Sequence, residues 1–109
     1  SFDPVNVLRE RFQAAADAAF GPGLPPVTVV ASTNPKFGDY QCNSAMAFSK
    51  VLGKPPRQVA TELLSRVDVS GVAEPLSEAS IAGPGFINLT LLRAAIEANL
   101  ADMDKPDLG

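Results

Sequence analysis

Gly83-Pro84-Gly85-Phe86-Ile87-Asn88-Leu89-Thr90-Leu91-Leu92 is the stretch on which the reading of this chain turns. The Gly-Pro-Gly triplet predicts a tight turn. Strict alternation after it predicts a strand over residues 86–92, because successive side chains of a strand point to opposite faces. Ile87, Leu89 and Leu91 fall on one side, Phe86, Asn88 and Thr90 on the other. The apolar set belongs against helices, and the second set faces outward.

Working back from the turn, residues 68–82 hold a turn at Ser70-Gly71 and a strand ending near Ile81. Before them, Lys54-Pro55-Pro56 starts a helix whose apolar stripe is Val59, Ala60, Leu63, Leu64 and Val67. Residues 45–52 form another helix, which Gly53 can cap. Phe37-Gly38-Asp39-Tyr40-Gln41 reads as a short strand leading into that helix. Asp39 or Asn43 is placed to cap it, and Tyr40 to pack beneath it. Ser32-Thr33-Asn34-Pro35 is a turn after a β-branched strand at residues 27–31. The first helix opens on Asp3-Pro4, with Asp as N-cap and Pro at the first helical position, and buries Val5, Leu8, Phe12, Ala15, Ala16 and Ala19. Gly21-Pro22-Gly23 stops it. Beyond the key strand, Leu92, Ala95, Ile96, Leu100 and Met103 mark a last helix, and residues 105–109 read as a linker. The expectation is an α/β (α+β) fold of two layers. A small antiparallel sheet packs on helices in the order α-β-β-α-α-β-β-α, as one domain over residues 1–104.

Composition narrows the chemistry. The 109 residues suffice for one core without disulfides or metal. There is no His, which removes the commonest general base, metal ligand and nucleophile partner. Cys42 is the lone cysteine, so a cysteine zinc site and an internal disulfide are excluded. A packing thiol is the expectation for it. Gly83-Pro84-Gly85 lacks the Lys-Ser/Thr pair of a phosphate loop, and Pro84 removes an amide donor. The carboxylates show no pairing suited to acid–base work. No apolar run is long enough to span a membrane, and Ser1-Phe2-Asp3-Pro4 lacks the marks of a signal peptide, so a cytoplasmic, membrane-free, metal-free monomer is expected. Net charge is −3. Residues 36–66 nevertheless hold Lys36, Lys50, Lys54, Arg57 and Arg66 against Asp39 and Glu62, while residues 67–109 hold two basic residues against seven acidic ones.

The outer face of the key strand is the place for a function. Phe86 and Asn88 project to the same side two residues apart. The ring offers a platform for an unstacked base, and the amide a donor and an acceptor for its edge. Gly83 and Gly85 would let an RNA backbone come close. The alternative is a ring covered by a helix and an amide that satisfies a turn. The Phe37–Asn43 segment is open to the same two readings, with a structural role as the simpler one.

Three blocks carry a resemblance. Phe37-Gly38-Asp39-Tyr40-Gln41-Cys42-Asn43-Ser44-Ala45-Met46, Lys54-Pro55-Pro56-Arg57-Gln58-Val59-Ala60 and Ile81-Ala82-Gly83-Pro84-Gly85-Phe86-Ile87-Asn88-Leu89 together resemble the N-terminal additional domain of arginyl-tRNA synthetases. The resemblance implies a two-layer domain preceding a class I catalytic domain, with residues 105–109 leading toward it. It implies docking on the outer corner of arginine tRNA at the D-loop, with an aromatic and an amide after the Gly-rich turn reading a base. These map onto Phe86 and Asn88. Gly83, Gly85, Tyr40, Gln41 and Asn43 are placed around them, with Lys36, Lys50, Lys54 and Arg57 as candidate phosphate contacts. The ATP-binding signatures of the parent ligase are missing, so the resemblance implies a non-catalytic domain; ATP and Mg belong to the parent. A domain that braces the catalytic domain or binds other proteins is the alternative. A small-molecule regulatory domain would need a convergent charged pocket, which nothing in the sequence suggests.

Overall fold

The computed structural model of the chain describes residues 3–97. Helix α1, Pro4–Phe20, starts as its first residues dictate: Asp3 Oδ1 accepts from the Val5 and Asn6 amides at 3.1 and 3.4 Å. Strand β1 is Val29–Ala31 and β2 is Tyr40–Cys42, with a single 3-10 turn at Pro35–Phe37 between them. Helices α2, Ser44–Leu52, and α3, Pro56–Arg66, follow. A second 3-10 turn at Glu78–Ser80 leads into β3, Ile81–Ala82, and β4, Phe86–Leu89. Residues 93–97 are helical. The sheet is antiparallel throughout, in the order β1-β2-β4-β3. This is the expected order of elements in the expected two layers.

Register sorts the sheet into two faces. Val29, Cys42, Ile87 and Ile81 lie opposite one another, as do Ala31, Tyr40 and Leu89. These rows face the helices. Leu8, Phe12, Ala15 and Ala16 of α1, Ala45 and Phe48 of α2, and Val59, Ala60 and Leu63 of α3 pack with Cys42, Ile81, Ile87 and Leu89 in one buried cluster. Val30, Gln41 and Asn88 form the alternate row, on the outer face, and Phe86 shares that face opposite Ala82. Side-chain ties lock the layers at their ends. Arg11 Nη1 donates to the Asp68 carbonyl at 2.6 Å, joining α1 to the loop after α3. The hydroxyl and amide of Ser70, with Arg11 beside them, hold the Asp68 carboxyl below the usual carboxylate range.

Several expectations are corrected. The first strand starts two residues late because Val27 and Thr28 give their N–H groups elsewhere, to Gln13 Oε1 at 3.0 Å and Ser44 Oγ at 2.9 Å. The strand expected before Ile81 shrinks to two residues, since Ser77 and Ser80 form a capping box and coil the chain into a 3-10 turn. β4 ends at Leu89, three residues early. Beyond it the Leu91 amide donates to Asp39 Oδ2 at 2.8 Å, and Leu91 keeps only an isolated bridge to Ala73. Asp39 therefore caps the end of β4 and not α2. Asn43 does occupy the N-cap position of α2, yet makes no cap bond, because its Oδ1 accepts from the Thr28 hydroxyl at 2.5 Å. Tyr40 packs against the buried cluster and also lines a hollow with Asp3, Pro4, Val5, Leu91 and Ile96. Leu100, Met103 and the 105–109 segment lie outside the described residues.

Gly85 has a packing reason to be glycine. It sits at φ +132°, where a Cβ is strained, and that Cβ would come within 3.0 Å of the Pro56 carbonyl oxygen. Gly85→Ala should lower unfolding free energy by about 1–3 kcal/mol, read as a fall in the urea midpoint at unchanged m. A midpoint within error of wild type would show that α3 does not press on the hairpin. Burial pushes the Cys42 thiol up, against a smaller opposing pull from Ser44. The native thiol should react with iodoacetamide on the order of a hundredfold more slowly than the urea-unfolded one. The fold holds this proton more tightly than the unfolded chain does. Its stability contribution is therefore complete below about pH 9, the ordinary thiol value, and is lost as pH rises beyond it. Wild type should accordingly decline faster than Cys42→Ala in alkaline denaturation curves.

Candidate nucleic-acid interface

The outer face gathers four of the residues singled out from sequence. Gln41 and Asn88 are cross-strand partners, and Gln41 Nε2 donates to Asn88 Oδ1 at 3.3 Å. Both are half-buried, so their amide planes are held while their edges meet solvent. Among the described residues the Asn88 amide nitrogen donates to nothing. Phe86 stands two residues away on the same strand face and is half-buried. The register carried one step on places Asn43 beside it, where Asn43 pairs with the Thr28 hydroxyl. An aromatic ring, two carboxamides and an amide–hydroxyl pair thus share the face opposite the helices.

The rim is built from the hairpin and α3. A Cβ on Gly83 would lie 3.5 Å from the Phe86 ring, so the ring rests against the turn. Arg57, in the first turn of α3, donates from Nη1 to the Gly83 carbonyl at 2.8 Å. The exposed Arg57 thereby fixes the turn that carries the ring. Gly83 is itself exposed. Lys36 and Lys50 are both exposed, Lys36 in the loop before β2 and Lys50 on α2. Lys36 lines a hollow of about 270 Å³ with Asn88 and Thr90, and Lys50 lines another of about 510 Å³ with Thr28, Asn43 and Met46.

Three of the candidates stand apart. Tyr40 alternates to the inner face, so it cannot share a ligand with Phe86 and Asn88 on the sheet. Gly85 is buried against Pro56. Lys54 belongs to the helix layer: its Nζ is 3.2 and 3.3 Å from the Glu62 carboxylate and 5.7 Å from the centre of the Phe20 ring. Thr28 escaped the sequence reading, since it counts there only as a β-branched strand residue. Phe37, at the head of the Phe37–Asn43 segment, has half of its surface open. Among the described residues no three His, Cys, Asp or Glu side chains gather to hold a metal, and no helix is long and apolar enough to cross a membrane.

Comparison with known proteins places this geometry. The family model for the arginyl tRNA synthetase N terminal domain matches residues 6–91. The chain is 49% identical over 106 residues to an arginine–tRNA ligase of Nostoc punctiforme, covering 94% of this chain and 18% of that protein. It is 46% identical over 102 residues to one from Synechococcus, covering 92% and 17%. It thus spans less than a fifth of these relatives. Among solved structures, Thermus thermophilus arginyl-tRNA synthetase superposes with a TM-score of 0.71 at 26% identity, over 94% of this chain and 16% of that one. The Plasmodium falciparum enzyme shares the fold at a TM-score of 0.74 and 24% identity, over 88% and 17%. With its motifs, its order of elements and its sheet all in agreement, the chain belongs to the family of arginyl-tRNA synthetase N-terminal domains.

Proposed function

We propose that this chain is the tRNA-docking domain of an arginine–tRNA ligase, that it seats the D-loop corner of arginine tRNA on the outer face of its sheet, and that it contributes no catalytic group. The observation that carries the reading is the shared outer face of Phe86, Asn88 and Gln41. An unstacked base lies on the Phe86 ring, and its edge meets the Asn88 amide, whose orientation Gln41 fixes. Lys36, Lys50 and Arg57 neutralise neighbouring phosphates. Charging tRNA with arginine, and the ATP and Mg it uses, belong in this proposal to the remainder of the parent ligase. The chain presumes contact with that catalytic domain and acts in the cytoplasm with the translation machinery.

An isotope-labelled chain titrated with an arginine tRNA transcript at low salt should show amide shifts at Gly83–Thr90 and at Gln41. A transcript altered at the D-loop base should abolish them. Phe86→Ala should weaken binding by the worth of one stacked base, about 1–3 kcal/mol or roughly 5- to 150-fold. Its melting temperature should move little, since the ring is not in the core. Shifts confined to the helix layer, or an unfolded Phe86→Ala, would end this proposal in favour of a bracing domain.

The salt dependence should be shallow. With Lys54 paired to Glu62, only two or three cations are placed for phosphates, so log K against log salt should fall with a slope of about −2. A slope steeper than about −4 would require a phosphate surface that this face does not provide.

A further inference from the structure

We infer that the hollow between Phe37 and the 74–80 segment is a second nucleotide subsite, which takes the base adjacent to the one stacked on Phe86. This inference rests on the docking reading given above.

Phe37 is half exposed, and it stands in a loop that the chain has pinned down. Its neighbour Gly38, at φ +100°, has no room for a side chain: a Cβ there would lie 2.7 Å from the Leu89 carbonyl oxygen and 3.0 Å from the Thr90 hydroxyl. The Asp39 amide donates to that same carbonyl at 2.8 Å, and its carboxylate accepts from the Leu91 amide at 2.8 Å. Asn34 Oδ1 accepts from the Lys36 amide at 3.0 Å on the other side. The loop backbone is thereby bound to the end of β4, and Phe37 shares a hollow there with Asn88 and Thr90. A lone exposed aromatic is common on protein surfaces; what distinguishes Phe37 is that the hollow it borders is shared with these two residues of the outer face.

The hollow beside the ring measures about 270 Å³; Lys36, Phe37, Glu74, Ser80, Asn88 and Thr90 line it together with apolar residues of the 75–79 segment. Its chemistry suits one nucleotide. The ring gives a stacking surface, Ser80 and Thr90 give hydroxyls, and Glu74 gives an acceptor for a base N–H. Lys36 gives a cation for the phosphate. Asn88 borders this hollow and also shares the outer face with Phe86, so the two subsites are continuous across a single side chain. Phe86, Asn88 and Thr90 are spaced two residues apart in turn, about 13–14 Å end to end along an extended chain. Two successive bases splayed from a loop fit that run, one at either end.

The test is a double-mutant cycle on the 109-residue chain, with arginine tRNA transcripts carrying an abasic nucleotide on either side of the D-loop base. Phe37→Ala should bind the intact transcript on the order of tenfold more weakly, with no change in urea midpoint because the ring is outside the core. On the transcript abasic at the partner position, Phe37→Ala and wild type should bind alike. Equal weakening on every transcript, or none on any, overturns the subsite. Phe86→Ala is the control: if it weakens binding while Phe37→Ala fails to couple, only the second subsite is wrong, and if it does not weaken binding, the docking reading fails as well.

Discussion

The antiparallel register between β2 and β4 is the constraint on which the molecule depends. It sets Cys42 against Ile87 and Tyr40 against Leu89 on one face, and Gln41 against Asn88 on the other. A slip of one residue would turn both rows over. Ile87 and Leu89, now fully buried, would meet water, at about 1.5–3 kcal/mol each. Gln41 and Asn88 would meet α1 and α3, leaving buried amides without partners at about 1–3 kcal/mol each. Core and outer face are thus specified by one and the same pairing. The face can carry costly exposed groups because the opposite side of the same few residues holds them in place.

A strand of four residues is short for such work. β4 compensates by being held at both ends from outside the sheet. At its start, Arg57 grips the Gly83 carbonyl and Pro56 presses on Gly85. At its end, Asp39 takes the Leu89 carbonyl with its amide and the Leu91 amide with its carboxylate. These partners come from α3 and from the loop before β2, so helix layer, sheet and loop all meet on one strand. Side chains used for recognition are most exact when the backbone beneath them cannot drift.

Periodicity made the larger features legible. The alternation at 86–89 named the inward and outward residues correctly, and the helix starts at Pro4 and Pro56 follow directly from proline chemistry. What failed was the destination of polar groups. Asp39 and Asn43 both looked like helix caps, because an Asx residue ahead of a helix usually is one. Each is instead recruited by a residue far off in sequence, Leu91 in one case and Thr28 in the other. Lys54 likewise has a partner that the motif does not show, the Glu62 carboxylate of α3. Tyr40 was assigned by its neighbours in the motif, although the parity of the strand already separated it from Gln41. Local pattern fixes which face a residue takes; it does not fix which distant group competes for its hydrogen bonds.

Charge bears on how the proposed docking on RNA could work. With a net −3 and Lys54 paired to Glu62, the chain draws less affinity from phosphates than a basic domain does. Whatever discrimination it has must come from uncharged contacts, rings against bases and amides against base edges, which are short-ranged and depend on exact placement. That matches a rigid strand with an aromatic at its start and a pinned aromatic loop at its end. It also sets the cost of working alone. In the proposed docking, weak attraction would be sufficient where a neighbouring domain holds the RNA and raises the local concentration to the millimolar range. A more basic face would bind every tRNA more tightly by the same factor and so gain affinity without gaining discrimination.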